Sequence, residues 1–353
     1  MKNTAHNIYI HVPFCMSKCN YCAFFSHACQ TPDWEEYTNK ICTEIEYWGN
    51  KLGKIDIPTV FFGGGTPSLM PIKCFESIIN KIKNYFTLDS NTEITIEANP
   101  KTLDKTKLQD FCKSGVNRLS VGIQSLDDNK LKFLGRRHNT YDAMQLLEFA
   151  NQQNLKTSAD FIYGLPKETA EDVAHLCTEI NKLGLKHCSL YELTIEENTP
   201  FGKMNLQMPD NNTMASMYIT IQEKLNLKRY EVSNYAENND NQCAHNSNIW
   251  DGQPYIGIGR GAAGRIFLNN HWFEQRGNNE AFNLLTPTER AIEIIITGIR
   301  TKRGCKINEE IKKILDINWI EKNSNLVKIQ DNRICATDDG ILILDELTRN
   351  LIK

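Results

Sequence analysis

Within its first 195 residues the chain alternates six short runs rich in β-branched and aromatic residues with longer segments whose apolar residues recur at helical spacing. IYIH (8–11) precedes a segment, opened by Thr31 and Pro32, that sets Trp34, Tyr37, Ile41, Ile45 and Trp48 on one face. TVFF (59–62) precedes a face of Phe75, Ile78, Ile79, Ile82 and Tyr85. EITIEA (93–98) precedes a helix that stops at Gly115, and RLSV (118–121) precedes helical segments that include Thr140 to Gln153. KTSADF (156–161) precedes Val173, Leu176, Cys177, Ile180 and Leu183, with Gly184 just past the helix end; HCSLYEL (187–193) is the sixth run. Strands joined through helices lie parallel, with right-handed crossovers. An open doubly wound sheet and a barrel both satisfy that rule.

The loops favour the barrel. Cysteines follow the first strand, GGGTPS (63–68) the second, GIQS (122–125) the fourth and IYGLPKE (162–168) the fifth, while EANP (97–100) ends the third. Unusual residues at the C-terminal ends of many strands describe a barrel-type active face. Six strands rather than eight leave such a barrel incomplete and open on one side. Past residue 195 comes a polar connection, a helix at roughly 213–226, a loop-like Asn-rich stretch (229–250) and strands around a Gly-rich turn (256–276). Helices and a hairpin near 327–336 complete a small winged-helix-like cap. The expected divisions are a core at 1–195, an extension at 196–285 and the cap at 286–353.

A net charge of −3 gives no general affinity for polyanions, so nucleic acid is not an expected partner. No run is long enough to span a membrane, and the N-terminus lacks a signal-peptide pattern. Isolated cysteines such as Cys74, Cys112 and Cys177 read as small buried hydrophobes in a chain of the reducing cytoplasm. Cys15, Cys19 and Cys22 are different, because three thiols in eight positions suit a metal site. They can hold three irons of a [4Fe–4S] cluster and leave the fourth iron for a chelating amine and carboxylate. Zinc, with His27 or Cys29 as fourth ligand, is the alternative. Gly259, Gly261 and Gly264 fit G-x-G-x-x-G, but a strand-like run follows where a nucleotide-binding unit needs a helix.

CMSKCNYC resembles the C-x3-C-x2-C loop of the radical S-adenosylmethionine (SAM) enzymes. With YIHVPFC, GGGTPS, EANP, GVNRLSVGIQS, LGRRH, DFIYGLP and CAHNSNIW, the chain resembles the oxygen-independent coproporphyrinogen III oxidases and their HemW-type heme chaperones over roughly residues 8–265. The resemblance implies an α/β fold, an incomplete (β/α)6 TIM-like radical SAM barrel with a small C-terminal winged-helix-like region. It implies a [4Fe–4S] cluster on Cys15, Cys19 and Cys22, with SAM as cofactor. Gly64, Gly65 and Thr66 would face the methionine ammonium, and Arg136 its carboxylate. Glu97 and Asp160 would accept from ribose hydroxyls, supplemented by Gln124. Tyr9 and Tyr21 would pack against cluster or adenine, and His11 would support the cluster as a hydrogen-bonding neighbour.

Two functions follow from the resemblance. One is oxidative decarboxylation of porphyrinogen propionates; the other is delivery of heme to apo-hemoproteins, with an electron donor as a further partner. The carrier is favoured. The oxidases carry another Cys where this chain has Phe24, and a longer arm before the first strand. HNSNIW (245–250) resembles the H-N-x-x-Y-W element of the chaperones, which makes His245 the expected axial ligand to heme. Ile249 replaces Tyr there, Ala244 stands where Arg is usual, and Arg260 and Ala263 depart from the pattern of the Gly-rich turn.

Overall fold

A computed structural model describes residues 4–277 and 281–353; the remaining residues of the expected divisions, 1–3 and 278–280, lie outside the described residues. The six anticipated strands form in order: β1 (Asn7–Val12), β2 (Thr59–Gly64), β3 (Glu93–Ala98), β4 (Arg118–Gln124), β5 (Lys156–Tyr163) and β6 (His187–Glu192). Each pairs in parallel with the next. The crossover helices are α1 (Trp34–Leu52), α2 (Ile72–Tyr85), α3 (Lys105–Lys113), α4 (Asp128–Phe133), α5 (Thr140–Gln152) and α6 (Ala170–Lys182). Their starts are set by side chains that accept from first-turn N–H groups, Asp33 at α1, Asn139 at α5 and Thr169 at α6. Ile41, Ile45 and Trp48 of α1 and Phe75, Ile78 and Ile82 of α2 are buried in one core with Ile8, Val60 and Ile96 of the strands.

The sheet does not stop at six strands. Tyr255–Ile258 (β9) lies parallel against the free edge of β1, so seven parallel strands run side by side. Ala263–Leu268 (β10), His271–Arg276 (β11) and Ala281–Leu285 (β12) extend that edge by antiparallel pairing. At the other edge Asn234–Ala236 (β8) and Lys228–Glu231 (β7) pair antiparallel to β6 and to each other. The order is β12-β11-β10-β9-β1-β2-β3-β4-β5-β6-β8-β7. The Gly-rich turn leads into β10, a strand, as the sequence implied.

The Asn-rich stretch corrects the sequence reading. It holds β7, β8 and a helix, α8 (Ala244–Trp250), where a loop was expected. Asparagine is a poor local signal for either state, and here tertiary contacts decide. Preceding it, α7 covers Asn211–Lys224. Beyond β12, α9 (Pro287–Gly298) begins a second core in which Ile295, Ile311, Leu315, Val327, Ile334 and Leu347 are buried. A hairpin of Val327–Gln330 and Arg333–Ala336 forms there with Cys305–Lys306 as a third strand, beside the short helices Glu309–Ile314 and Ile317–Lys322. The helices and hairpin expected of a winged-helix-like region are present.

Candidate functional site

The strands line a lumen of about 740 Å³ that reaches the loops at their C-terminal ends. It exists because inward positions that a closed barrel fills with bulky branched residues carry Thr95, Ser120, Gly122, Ser158 and Ser189 instead. The residues expected to hold cluster, cofactor and heme all line it: Cys15, Cys19, Cys22, Tyr9, Tyr21, Gly64, Gly65, Thr66, Glu97, Gln124, Arg136, Asp160 and His245.

The cysteine loop is held at several points. Phe14–Cys15 forms a two-residue parallel ladder with His27–Ala28. Asn20 donates from its backbone to the Leu134 carbonyl at 3.1 Å and from its side chain to that of Phe133 at 2.8 Å. His11 Nε2 lies 2.7 Å from the Phe25 carbonyl, which only accepts, so the ring carries its proton there. Nδ1, 3.0 Å from the Tyr9 hydroxyl, is then the acceptor. His11 thus ties the loop to β1. Tyr21 packs beside the cluster of Leu134, Ile162 and Phe201.

The donor set suits a thiolate-bound cluster. Thr66 Oγ1 donates toward Cys15 Sγ at 3.5 Å, and Arg136 Nη1 toward Cys19 Sγ at 3.4 Å. Burial pushes the Cys15 thiol above its ordinary range, and the Thr66 hydroxyl opposes that. Among the described residues no three His, Cys, Asp or Glu side chains close on a single ion. The three cysteines all line the lumen, and a cluster would take one thiolate on each of three separate irons rather than all three on one ion.

The glycine turn is fitted to protein before ligand. A Cβ at Gly65 would lie 2.6 Å from the Phe14 carbonyl oxygen, and one at Gly64, where φ is +110°, 2.5 Å from the His11 ring. The N–H groups of Gly64, Gly65 and Thr66 donate to Glu97, Val12 and Phe14. What the turn can offer an ammonium is therefore carbonyl oxygen. Arg136 donates to Asn99 Oδ1 and, at 2.6 Å, to the Gly122 carbonyl, while Asn99 Nδ2 donates to Thr66 Oγ1 at 3.0 Å. Asn99 therefore links Arg136 to the residue beside Cys15. Its signal lay in the EANP motif, two positions past Glu97 and so on the same face of the strand end. Gln124 sits at a bulge with φ of +71°, which re-aims the end of β4.

Glu97 and Asp160 face the lumen from β3 and β5. Asp160 accepts from Ser120 at 2.7 Å and Ser158 at 3.0 Å, yet burial still raises its carboxyl. Glu97 accepts from the Gly64 N–H at 3.1 Å. Burial first, and the Asp160 charge second, push it up to about 7 from an ordinary 4.5. Unfolded, Glu97 ionises near 4.5; folded, it keeps its proton to about 7, so its contribution to stability falls as pH rises through that window. In cofactor-free protein, the stability gained by Glu97→Gln over wild type is expected to grow between about pH 5 and pH 8 by a few kcal/mol, since each pKa unit is worth about 1.4 kcal/mol. Urea unfolding at the two pH values reads this; a pH-independent difference would assign the strain to another group.

At the other end the lumen has a floor. The segment around α8 passes beneath β1–β4. Arg118 bonds Glu93 Oε2 at 2.8 Å and the carbonyls of Asn241 and Gln242 at 2.8 and 2.6 Å. Glu93 Oε1 accepts the His245 N–H at 3.1 Å. His245 is buried, with its ring stacked on Phe61 at 5.0 Å, and its Nε2 has no hydrogen-bond partner among the described residues. Burial lowers its pKa to about 3, so the ring is neutral. The sequence reading named His245 but none of the residues that hold it. Thr59 and Glu93 lie in ordinary strand runs, and although Arg118 stands inside GVNRLSVGIQS, nothing in that motif points to Glu93 or to the segment around α8.

Residues 9–180 match the Radical SAM superfamily. The heme chaperone HemW of Buchnera aphidicola subsp. Schizaphis graminum is 36% identical over 265 residues, covering 74% of this chain and 70% of that protein. The heme chaperone HemW of Synechocystis sp. is 34% identical over 391 residues, covering 96% and 94%. That of Escherichia coli is 34% identical over 266 residues, covering 74% and 70%. Among solved structures, coproporphyrinogen III oxidase (HemN) from E. coli, a radical SAM enzyme, superposes with a TM-score of 0.81 at 17% identity, over 99% of this chain and 90% of that one.

Proposed function

Because this chain belongs to the HemW family within the radical SAM superfamily, we propose that it binds heme and delivers it to apo-hemoproteins. One observation carries the reading: a single lumen is lined both by the three cysteines and by His245, whose buried Nε2 has no hydrogen-bond partner among the described residues. Its volume of about 740 Å³ is within the roughly 300–1,000 Å³ typical of small-molecule sites. The superfamily joins a [4Fe–4S] cluster to SAM, a pair that supplies one-electron reductive chemistry when bound.

Cys15, Cys19 and Cys22 would hold three irons, and the donors of Thr66 and Arg136 would stabilise thiolate on the first two. The glycine turn, Arg136, Glu97, Gln124 and Asp160 surround the space for SAM, with Tyr9 and Tyr21 as its apolar contacts. His245 would ligate heme iron from the floor. All twelve cysteines of the chain are free thiols, which supports a place in the reducing cytoplasm. No helix among the described residues is long and apolar enough to cross a membrane.

The alternative, a coproporphyrinogen oxidase, shares the fold. Against it stands Phe24, 67% exposed at the lumen wall, in the place where the resemblance puts a further cysteine. The reconstituted protein is expected to bind heme with a perturbed Soret band and to leave coproporphyrinogen III unconverted under anaerobic, reducing conditions with SAM. His245→Ala should weaken the heme while leaving the cluster spectrum intact, at unchanged thermal stability. Turnover of coproporphyrinogen III by wild type would overturn the carrier reading.

A further inference from the structure

His245 has one ring nitrogen engaged and one bare, and the protons around it can be counted. Asn7 Nδ2 donates to the Pro254 carbonyl at 3.1 Å. A proline carbonyl only accepts, so this contact fixes the Asn7 amide and turns Oδ1 toward Thr59. Thr59 Oγ1 lies 2.8 Å from Asn7 Oδ1 and 2.7 Å from His245 Nδ1. Thr59 has a single hydroxyl proton. Given to the imidazole, it would leave two oxygen acceptors facing each other at 2.8 Å; given to Asn7, it leaves the Thr59 oxygen free to accept from Nδ1–H. Asn248 Nδ2 donates to the same Asn7 Oδ1 at 2.9 Å, so that oxygen is an acceptor from both sides. The ring plane is set independently, by Phe61 stacked at 5.0 Å and by the His245 N–H held on Glu93.

We propose that Asn7 and Thr59 are positioning residues that hold His245, a residue of the lumen lining, as the Nδ1–H tautomer, so that its buried Nε2, which has no hydrogen-bond partner among the described residues, keeps a lone pair for a ligand. That the group it meets is heme iron rests on the heme-carrier reading above. The arrangement is a hydrogen-bonded neighbour orienting a metal-binding histidine, except that a threonine oxygen backed by an asparagine takes the place of the usual carboxylate. No proton has to leave the imidazole when a metal arrives. The opposite tautomer would place N–H where a metal must bind.

The test begins without heme. In wild-type protein labelled with 15N-histidine and free of heme, long-range proton–nitrogen correlations are expected to show His245 protonated at Nδ1 and bare at Nε2. Asn7→Leu releases the Thr59 proton toward the ring and should shift the population to Nε2–H, whereas Thr59→Ser should keep the wild-type pattern. In hemin titrations Thr59→Val should weaken binding by about ten- to a hundred-fold, with Thr59→Ser restoring it. An Nε2–H tautomer in wild type would overturn the proposal without any variant having to fold. So would hemin affinity in Thr59→Val equal to wild type while His245→Ala is weakened. Wild-type hemin affinity in His245→Ala would overturn the ligand role of His245 while leaving the heme-carrier reading, which turnover of coproporphyrinogen III tests separately, and the spectrum would still decide the tautomer.

Discussion

Replacing Cys15, Cys19 or Cys22 by Ala is expected to leave the protein without a cluster, whereas Cys29→Ala keeps about four irons and four sulfides per chain after anaerobic reconstitution. The three cysteines all line the lumen, and Cys29 is not among the residues that line it. Nor should the Ala variants lose the loop itself. Its anchors are the His11–Phe25 bond, the Asn20 bonds to Phe133 and Leu134 and the ladder to His27, none of which uses a thiol. Iron and sulfide analysis with the visible absorption spectrum reads the result, and far-ultraviolet circular dichroism checks that the barrel persists. A cluster lost equally in Cys29→Ala would overturn the ligand assignment.

The upper half of the lumen was legible because its residues come in contiguous motifs at strand ends. A strand that delivers Glu97 to its C-terminal end delivers Asn99 to the same face, and the loop after β1 needs only its own spacing to present three thiols. The lower half was not legible in this way. Thr59 and His245 meet across 186 positions, and Arg118 reaches Gln242 across 124. Parallel register sets Thr59 beside Glu93 at the strand starts, and it is the docking of the segment around α8 against them, not any local pattern, that brings His245 and Gln242 to the same place. His245 was reached through a family element, and its burial on the floor could not be read from that element.

The same limit explains the sheet. Period and caps located β1–β6 because short β-prone runs there alternate with helices of clear apolar periodicity. β7 and β8 are short, and β8 buries Asn234 at the lumen and Tyr235 in the main core on the strength of partners in β6 and β7. β9 looked like one arm of a local hairpin around the glycine turn. It does pair with β10, yet its other edge adds to β1 in parallel, which a reading of neighbours along the chain cannot find.

Arg118→Met is expected to destabilise the protein by about 3–5 kcal/mol, the cost of breaking a buried ion pair by removing one partner. The pair is nearly inaccessible, with side-chain exposures of 1% for Arg118 and 7% for Glu93. Removing the guanidinium strands the Glu93 carboxylate and frees two carbonyls, those of Asn241 and Gln242, in the same step. The loss should be local as well as global. The segment that these bonds pin carries His245, so backbone amides of 241–250 should exchange with solvent faster in Arg118→Met than in wild type. Replacing both partners, as Glu93→Leu with Arg118→Met, removes the stranded charge and should recover part of the stability. It should not recover the slow exchange, because the carbonyls of the segment and the His245 N–H still lack their partners. Urea unfolding and hydrogen exchange separate the two effects. A single variant as stable as wild type, or a double variant with wild-type protection at 241–250, would show that the floor is held by packing and not by this ion pair.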